Sequence, residues 1–326
     1  MIQRHVHKPT SSADARTAGA NHYTALNCPM RTPTPAAHWE HDRRALLRRT
    51  WQPPFDSLEV DYSQEDLQLR LTVGNFPLIA GNWQFASSVN GQPLAAAGAW
   101  EEVCWHSDQD IDYLEVEKPL SGGWTLQRQI ALARNDQFLF LADALLGNED
   151  ADPAGRQEIR HSFHLPLSSG VSWKPAGETR EGALVAQRKT LARAMPLSLP
   201  EWRVEPCGGD LTCEAGELVF RHAGLGRNLY CPLWLDLAPA RHRLECTWRR
   251  LTVGETLQVQ PRDVAAGFRV QCGKEPSTGK SPHHWLIYRT LATRASRTVL
   301  GQNYAADFVL SRFFKSGETQ VLVEIE

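Results

Sequence analysis

At 326 residues, 42% apolar and 22% charged, the chain has ample material for a globular core, and no run of 18 apolar residues offers a membrane span. Net charge is −2, but residues 1–54 carry eight Lys and Arg against three Asp and Glu, leaving 27 against 34 for the rest. The mildly acidic body, with no ribonucleoprotein, zinc-finger or helix-turn-helix pattern, argues against a nucleic-acid surface.

In chain order, the first 36 residues are rich in Thr, Ser, Ala and Pro and lack the apolar stretch of a secretory signal. They predict a disordered or irregular basic leader, a candidate docking arm for a protein partner, on a cytoplasmic protein. The segment "AAHWEHDRRALLRRTW" (36–51) places Trp39, Leu46 and Leu47 near one helical face among charges, which predicts a short helix ending before Pro53 and Pro54. From Phe55 onward the texture becomes alternation: "SLEVDY", "LQLRLTV", "DYLEVE", "WTLQRQIALA", "HWLIYRTL" and "TQVLVEIE" place apolar residues at every second position between Gly, Asn, Asp and Pro turn signals. Without long helices to make βαβ crossovers, this pattern predicts an all-β protein. Residues 1–54 form the leader, and residues 55–326 form one large antiparallel β-sandwich of about 15 to 20 strands. The alternation weakens around "KPAGETREGALVAQRKTLARAMPLSLPEW", which leaves a division into two halves open.

Among residues that could carry chemistry, "WEEVCWHSDQDIDYLEVE" (100–117) gathers seven carboxylates. It fails the EF-hand pattern, having Tyr113 where the loop needs Gly and Pro119 where it needs Glu, and reads as a strand and turn with an acidic face. In "RHSFHLP" (160–166), strand periodicity puts Arg160, Ser162 and His164 on one face and His161, Phe163 and Leu165 on the other. His161 therefore reads as a core histidine with a satisfied hydrogen bond, and His164 as the better candidate for ligand contact. His283 and His284 are adjacent and diverge in the same way. Eleven tryptophans are many; Trp83, Trp100, Trp105, Trp173 and Trp285 are candidates for sugar-stacking platforms, although sandwich cores also use tryptophan. Seven cysteines (Cys28, Cys104, Cys207, Cys213, Cys231, Cys246, Cys272) form an odd set with no Cys-x-x-Cys pair, so reduced, mostly buried thiols are expected. No nucleophile elbow, Walker loop, dinucleotide fingerprint or His-Glu-x-x-His motif occurs.

Taken in order, "WTLQRQIALAR" (124–134), "QFLFLADALLG" (137–147) and "EIRHSFHLP" (158–166) resemble the C-terminal β-sandwich of heparinase II/III-type polysaccharide lyases. The matching residues are Arg128, Asp143, Phe163, His164 and Leu165. Complete family enzymes carry an α/α toroid ahead of the sandwich, which supplies much of the machinery for β-elimination beside a uronic acid: carboxylate neutralisation, a His or Tyr base and a Tyr acid. Only about 54 residues precede the sandwich here. Some members bind a structural zinc through two His and an Asp. By order, Asp143 and His164 match two of these, but the strand over 124–134 has no histidine to complete the set.

The resulting expectation is a non-catalytic, carbohydrate-associated β-sandwich whose partner is an acidic polysaccharide or oligosaccharide. The alternatives are a polysaccharide lyase or other carbohydrate-active enzyme using His164, Arg160 and Tyr113 in one cleft, and a structural or assembly protein. The enzyme reading requires those three side chains to converge.

Overall fold

The computed structural model describes residues 33–147, 156–273, 284–314 and 316–326. Most of the expected leader, most of the acidic turn 147–158, Cys28 and His283 lie outside the described residues.

Among the described residues, antiparallel pairing assembles four sheets. The first runs in the order β1 (Ala37–Trp39), β2 (Arg44–Arg48), β3 (Ser57–Asp61), β4 (Leu67–Val73), β5 (Phe76–Val89), β11 (Gln157–Pro166), β16 (Glu217–Gly226) and β15 (Asp210–Glu214), with β6 (Gln92–Pro93) also paired to β5. The second runs β12 (Val171–Pro175), β13 (Gly182–Ala186), β14 (Lys189–Pro196), β17 (Asn228–Asp236), β10 (Phe138–Leu146), β9 (Thr125–Ala133), β8 (Ile111–Pro119) and β7 (Glu101–Ser107). A third contains β18 (Cys246–Leu251), β21 (Ala265–Cys272), β22 (His284–Thr290), β25 (Phe308–Phe313) and β26 (Thr319–Ile325). A small fourth joins β20 (Gln258–Val259), β19 (Gly254–Glu255), β23 (Arg297–Val299) and β24 (Gln302–Tyr304).

The short helix expected over 36–51 is not formed; β1 and β2 occupy that stretch. Ala45 and Leu47 are buried on one face of β2, while Arg44 is exposed, a period-2 pattern that pairing with β3 fixes. The first sheet therefore continues across residue 54.

Three cores separate the four sheets. Leu58, Leu69, Trp83 and Phe163 of the first sheet meet Leu114, Ile130, Leu141 and Leu233 of the second. The opposite face of the second sheet presents Tyr113, Phe140 and Trp234 to Trp248, Phe268, Trp285 and Phe308 of the third. Leu286, Tyr288 and Val309 on the far side of the third sheet pack with Val253, Val299 and Tyr304 around the fourth. The second sheet is thus covered on both faces, which explains why "FLFLADAL" in β10 is buried at every position. Burying each such large apolar side chain contributes roughly 1.5–3 kcal/mol. No helix among the described residues is long and apolar enough to cross a membrane.

Candidate functional site

Strand parity holds along β11: Ile159, His161, Phe163 and Leu165 are buried, while Arg160 is exposed and Ser162 and His164 are half-buried. His164 Nδ1 lies 3.1 Å from Glu217 Oε2, and Arg160 pairs with Glu158 at 2.7 Å, both on the outer face of the first sheet. Tyr113 is elsewhere. It is fully buried in the core between the second and third sheets, donates to Glu115 at 2.6 Å and accepts from Gln129 at 2.8 Å. Burial, reinforced by the Glu115 charge, pushes its phenol well above the ordinary range. The proposed trio is therefore split between an outer sheet face and an interlayer core.

The inward face of β11 has a different chemistry. His161 Nε2 donates to Asp143 Oδ2 at 3.0 Å, and its Nδ1 lies within hydrogen-bond distance of the Ser87 hydroxyl, at 2.8 Å. The other Asp143 oxygen accepts from Arg128 Nε at 3.0 Å, while Arg128 Nη1 donates to the Trp83 carbonyl at 2.6 Å. The guanidinium also stacks over Trp83, 4.2 Å from the ring centroid. Register explains the meeting, because Asp143 and Arg128 sit directly opposite each other on β10 and β9 and both face the first sheet, Asp143 toward β11 and Arg128 toward β5. Burial alone would raise the Asp143 carboxyl; the Arg128 charge and the His161 hydrogen bond hold it below its ordinary value.

The zinc expectation fails on these donors. His164 faces away from Asp143, so the pair matched by order cannot share an ion. Among the described residues, the one histidine hydrogen-bonded to Asp143 is His161, and Arg128 already supplies a compensating charge. One other donor group occurs among the described residues, Asp236 with Cys246 and Cys272. Those two cysteines form a disulfide across β18 and β21, correcting the expectation of reduced thiols throughout, and Asp236 is held by Arg241 at 2.6 Å.

Of the suggested stacking tryptophans, Trp83, Trp100 and Trp285 are core residues with no exposure, and Trp105 and Trp173 pack partly against the first core. Among the described residues, the large exposed aromatics are Trp39, Trp51 and Trp202. Trp39 borders a cleft of about 650 Å³ on the outer face of the first sheet, with Arg44, Glu59, Asp61, Gln68 and Arg70. Register aligns Trp39, Arg44, Asp61 and Gln68 in one cross-strand row. Arg44 is paired to Asp61 at 3.3 Å. Near one end, Gly81 has φ +141 and a Cβ there would stand 2.8 Å from the Pro166 ring, so a side chain at that position would collide with β11.

A second cleft, of about 660 Å³, lies at one end of the first two sheets. Its walls come from the β2–β3 and β4–β5 connections on one side and from the β9–β10 turn, the β13–β14 turn and the segment after β17 on the other. Asp56 is already engaged, by Arg49 Nε at 3.0 Å and by the Gly74 amide at 3.1 Å. His242 gives its Nε2 proton to the Asp236 carbonyl at 3.2 Å, and burial lowers its pKa, so it is uncharged at neutral pH. Arg188, Lys189 and Arg243 are exposed at the rim and form no ion pair among the described residues. The positive φ of Gln187 and Arg188, 48° and 64°, makes the tight hairpin turn that carries Arg188 outward. Sequence reading passed over this site because its cations sit in two short turn segments, "QRK" (187–189) and "RHR" (241–243), brought together only by the pairing of β14 with β17.

No family model and no curated protein matches this chain. Its fold is similar to the crystal structure of heparan sulfate lyase HepC from Pedobacter heparinus, with a TM-score of 0.54 and 9% identity over 78% of this chain and 42% of that one. A mutant of the same enzyme gives 0.53 and 9% over the same shares. A heparinase III gives 0.52 and 10%, covering 81% of this chain and 43% of that one. The likeness is one of fold, in line with the resemblance read from 124–166, and this chain spans less than half the length of these enzymes.

Proposed function

We propose that the chain is a carbohydrate-associated β-sandwich that holds acidic polysaccharide at the basic interlayer cleft without breaking it. The observation that carries this reading is the gathering of Arg188, Lys189 and Arg243, which form no ion pair among the described residues, in one cleft where the one carboxylate among the described lining residues, Asp56, is already engaged by Arg49. The fold shared with a heparan sulfate lyase and a heparinase III supports a polysaccharide-related role. The separation of Tyr113 from His164 and Arg160 favours binding over elimination, since proton transfer needs its acid and base on one substrate. The Trp39 cleft, lined by more carboxylates than arginines, suits an uncharged sugar ring stacked on indole better than a polyanion. The Cys246–Cys272 disulfide fits an oxidising compartment better than the cytoplasm.

The test is binding of heparan sulfate and its desulfated form, measured at low and physiological salt alongside the absorbance of unsaturated uronate. Retention that weakens with salt, no absorbance gain, and a roughly hundredfold loss in Arg188→Gln/Lys189→Gln/Arg243→Gln are expected, from about 1 kcal/mol per lost contact. Equal binding by the triple variant would sink the site. Turnover abolished by His164→Ala would replace the binding role with a lyase.

A further inference from the structure

We infer that the junction of the first three sheets holds a second, separate site, in which Arg250, Arg262, His222 and Ser198 bind an oxyanion group: a sulfate, phosphate or carboxylate. The four residues are far apart in the chain. Ser198 follows β14, His222 lies on β16 of the first sheet, Arg250 on β18 of the third, and Arg262 in the connection leading to β21. They line one cavity of about 120 Å³, walled by Tyr230 and Phe268 and roomy enough for several water-sized groups. Arg250 and Arg262 also border two larger clefts, of about 340 and 370 Å³.

Two independent observations point to a ligand. The first is hydrogen bonding: Ser198 Oγ and His222 Nδ1 are both shielded from solvent, and neither has a partner among the described residues. A buried polar atom left unpaired costs about 1–3 kcal/mol, and here two such atoms line the same cavity. The second is charge. Neither arginine forms an ion pair among the described residues, and the one carboxylate lining this cavity, Asp263, turns Oδ2 to the Arg227 amide at 2.9 Å. Burial and then the charge of Arg262 lower Arg250 to about 10. Burial, followed by the charges of Arg262, His161 and Arg250, lowers His222 to about 4. With two guanidinium groups against one carboxylate, the cavity thus combines a net positive charge with unused hydrogen-bonding capacity. An oxyanion would accept charge-assisted hydrogen bonds from both guanidinium groups and a further one from the Ser198 hydroxyl. With negative charge beside it, His222 would bind a proton more readily, so that its Nδ1–H could donate as well. The groups facing His222 are Arg250, Arg262, His161 and Asp263, and only the added anion changes the balance among them.

The experiment is an NMR titration of the histidine ring signals, with parallel calorimetry. Sodium sulfate, sodium phosphate, sodium acetate and a monosulfated disaccharide are compared with sodium chloride at matched ionic strength. Saturable binding of at least one oxyanion, an upward shift of the His222 pKa on binding, and at least tenfold weaker binding in Arg262→Gln are expected. Arg262 is exposed, so its replacement leaves packing intact; Arg250→Lys, which keeps the charge, should retain part of the affinity. Saturation by inorganic sulfate or phosphate identifies a free anion, and saturation by the disaccharide alone identifies a sugar-borne sulfate; either supports the site. Chloride reproducing every shift, or Arg262→Gln binding like the native protein, would overturn it.

Discussion

At the scale of single residues, the polar bridge Arg128–Asp143–His161 spans two sheets inside an otherwise apolar core. All three side chains are at or near zero exposure, so each charge depends on its partner. Replacing a buried ion pair with apolar groups is often neutral, whereas removing one partner costs about 3–5 kcal/mol because the other charge is left uncompensated. Arg128→Met should therefore destabilise by roughly that amount, and adding Asp143→Leu should recover much of the loss, as measured by urea unfolding. Asp143 is lowered in the folded state. Its contribution is accordingly complete above the unfolded carboxylate pKa and disappears as pH falls through the folded one. In Arg128→Met, which loses the charge that lowers Asp143, the folded pKa moves up toward the unfolded one, so the acid-dependent loss of stability from this group should be smaller than in the native protein. Sequence periodicity correctly turned His161 inward and His164 outward, because parity is a local property of a strand. The order of residues in the family resemblance matched Asp143 with His164, whereas Asp143 meets His161, because contact between facing sheets has no local signature.

At the scale of elements, the misread segment is instructive. "RRALLRR" satisfies an amphipathic helix about as well as a strand, and the decision belongs to partners it cannot see: β1 on one side and β3 on the other. The long alternating stretches were legible because half-buried strands advertise their period. The sequence of β10, apolar except for Asp143, showed a strand but gave no sign that it sits in a layer covered on both faces. The Cys246–Cys272 link was equally hidden, since it joins β18 to β21 directly across their register. Closing a loop of sequence separation 26 should contribute about 3.5 kcal/mol by chain-entropy reasoning. Cys246→Ala/Cys272→Ala should lower the calorimetric Tm, and a reductant should lower the native protein's Tm while leaving the variant's unchanged. An equal response of both proteins to reductant would remove the disulfide as the cause.

At the scale of the whole molecule, the four sheets do not share the burden equally. The second sheet contributes to two cores: Leu139 and Leu141 of β10 face the first, while Phe138 and Phe140 face the second. Phe138 stacks on Trp234 at 3.9 Å and meets Trp285 of the third sheet edge-on at 5.7 Å, tying adjacent layers through aromatic contact. The fourth sheet, by contrast, has strands of two or three residues and rests on the smallest of the three cores. Local opening free energies follow buried apolar contact and shielding of backbone hydrogen bonds. Amides of β9, β10 and β17 should therefore exchange slowest, at the rate of global unfolding, while those of β19, β20, β23 and β24 exchange earlier through opening of the outer layer. Hydrogen exchange followed by mass spectrometry resolves these segments. Exchange of β10 at or before the rate of β23 would mean that the middle sheet does not organise the stack. The same gradient bears on the two proposed binding sites. The basic cleft is anchored by turns of the first two sheets, whereas the oxyanion cavity takes Arg250 from the third and Arg262 from a connection beside the fourth. Ligand at the cavity should thus slow exchange in β18 and the 260–264 segment selectively, and polysaccharide at the basic cleft should leave that segment unchanged.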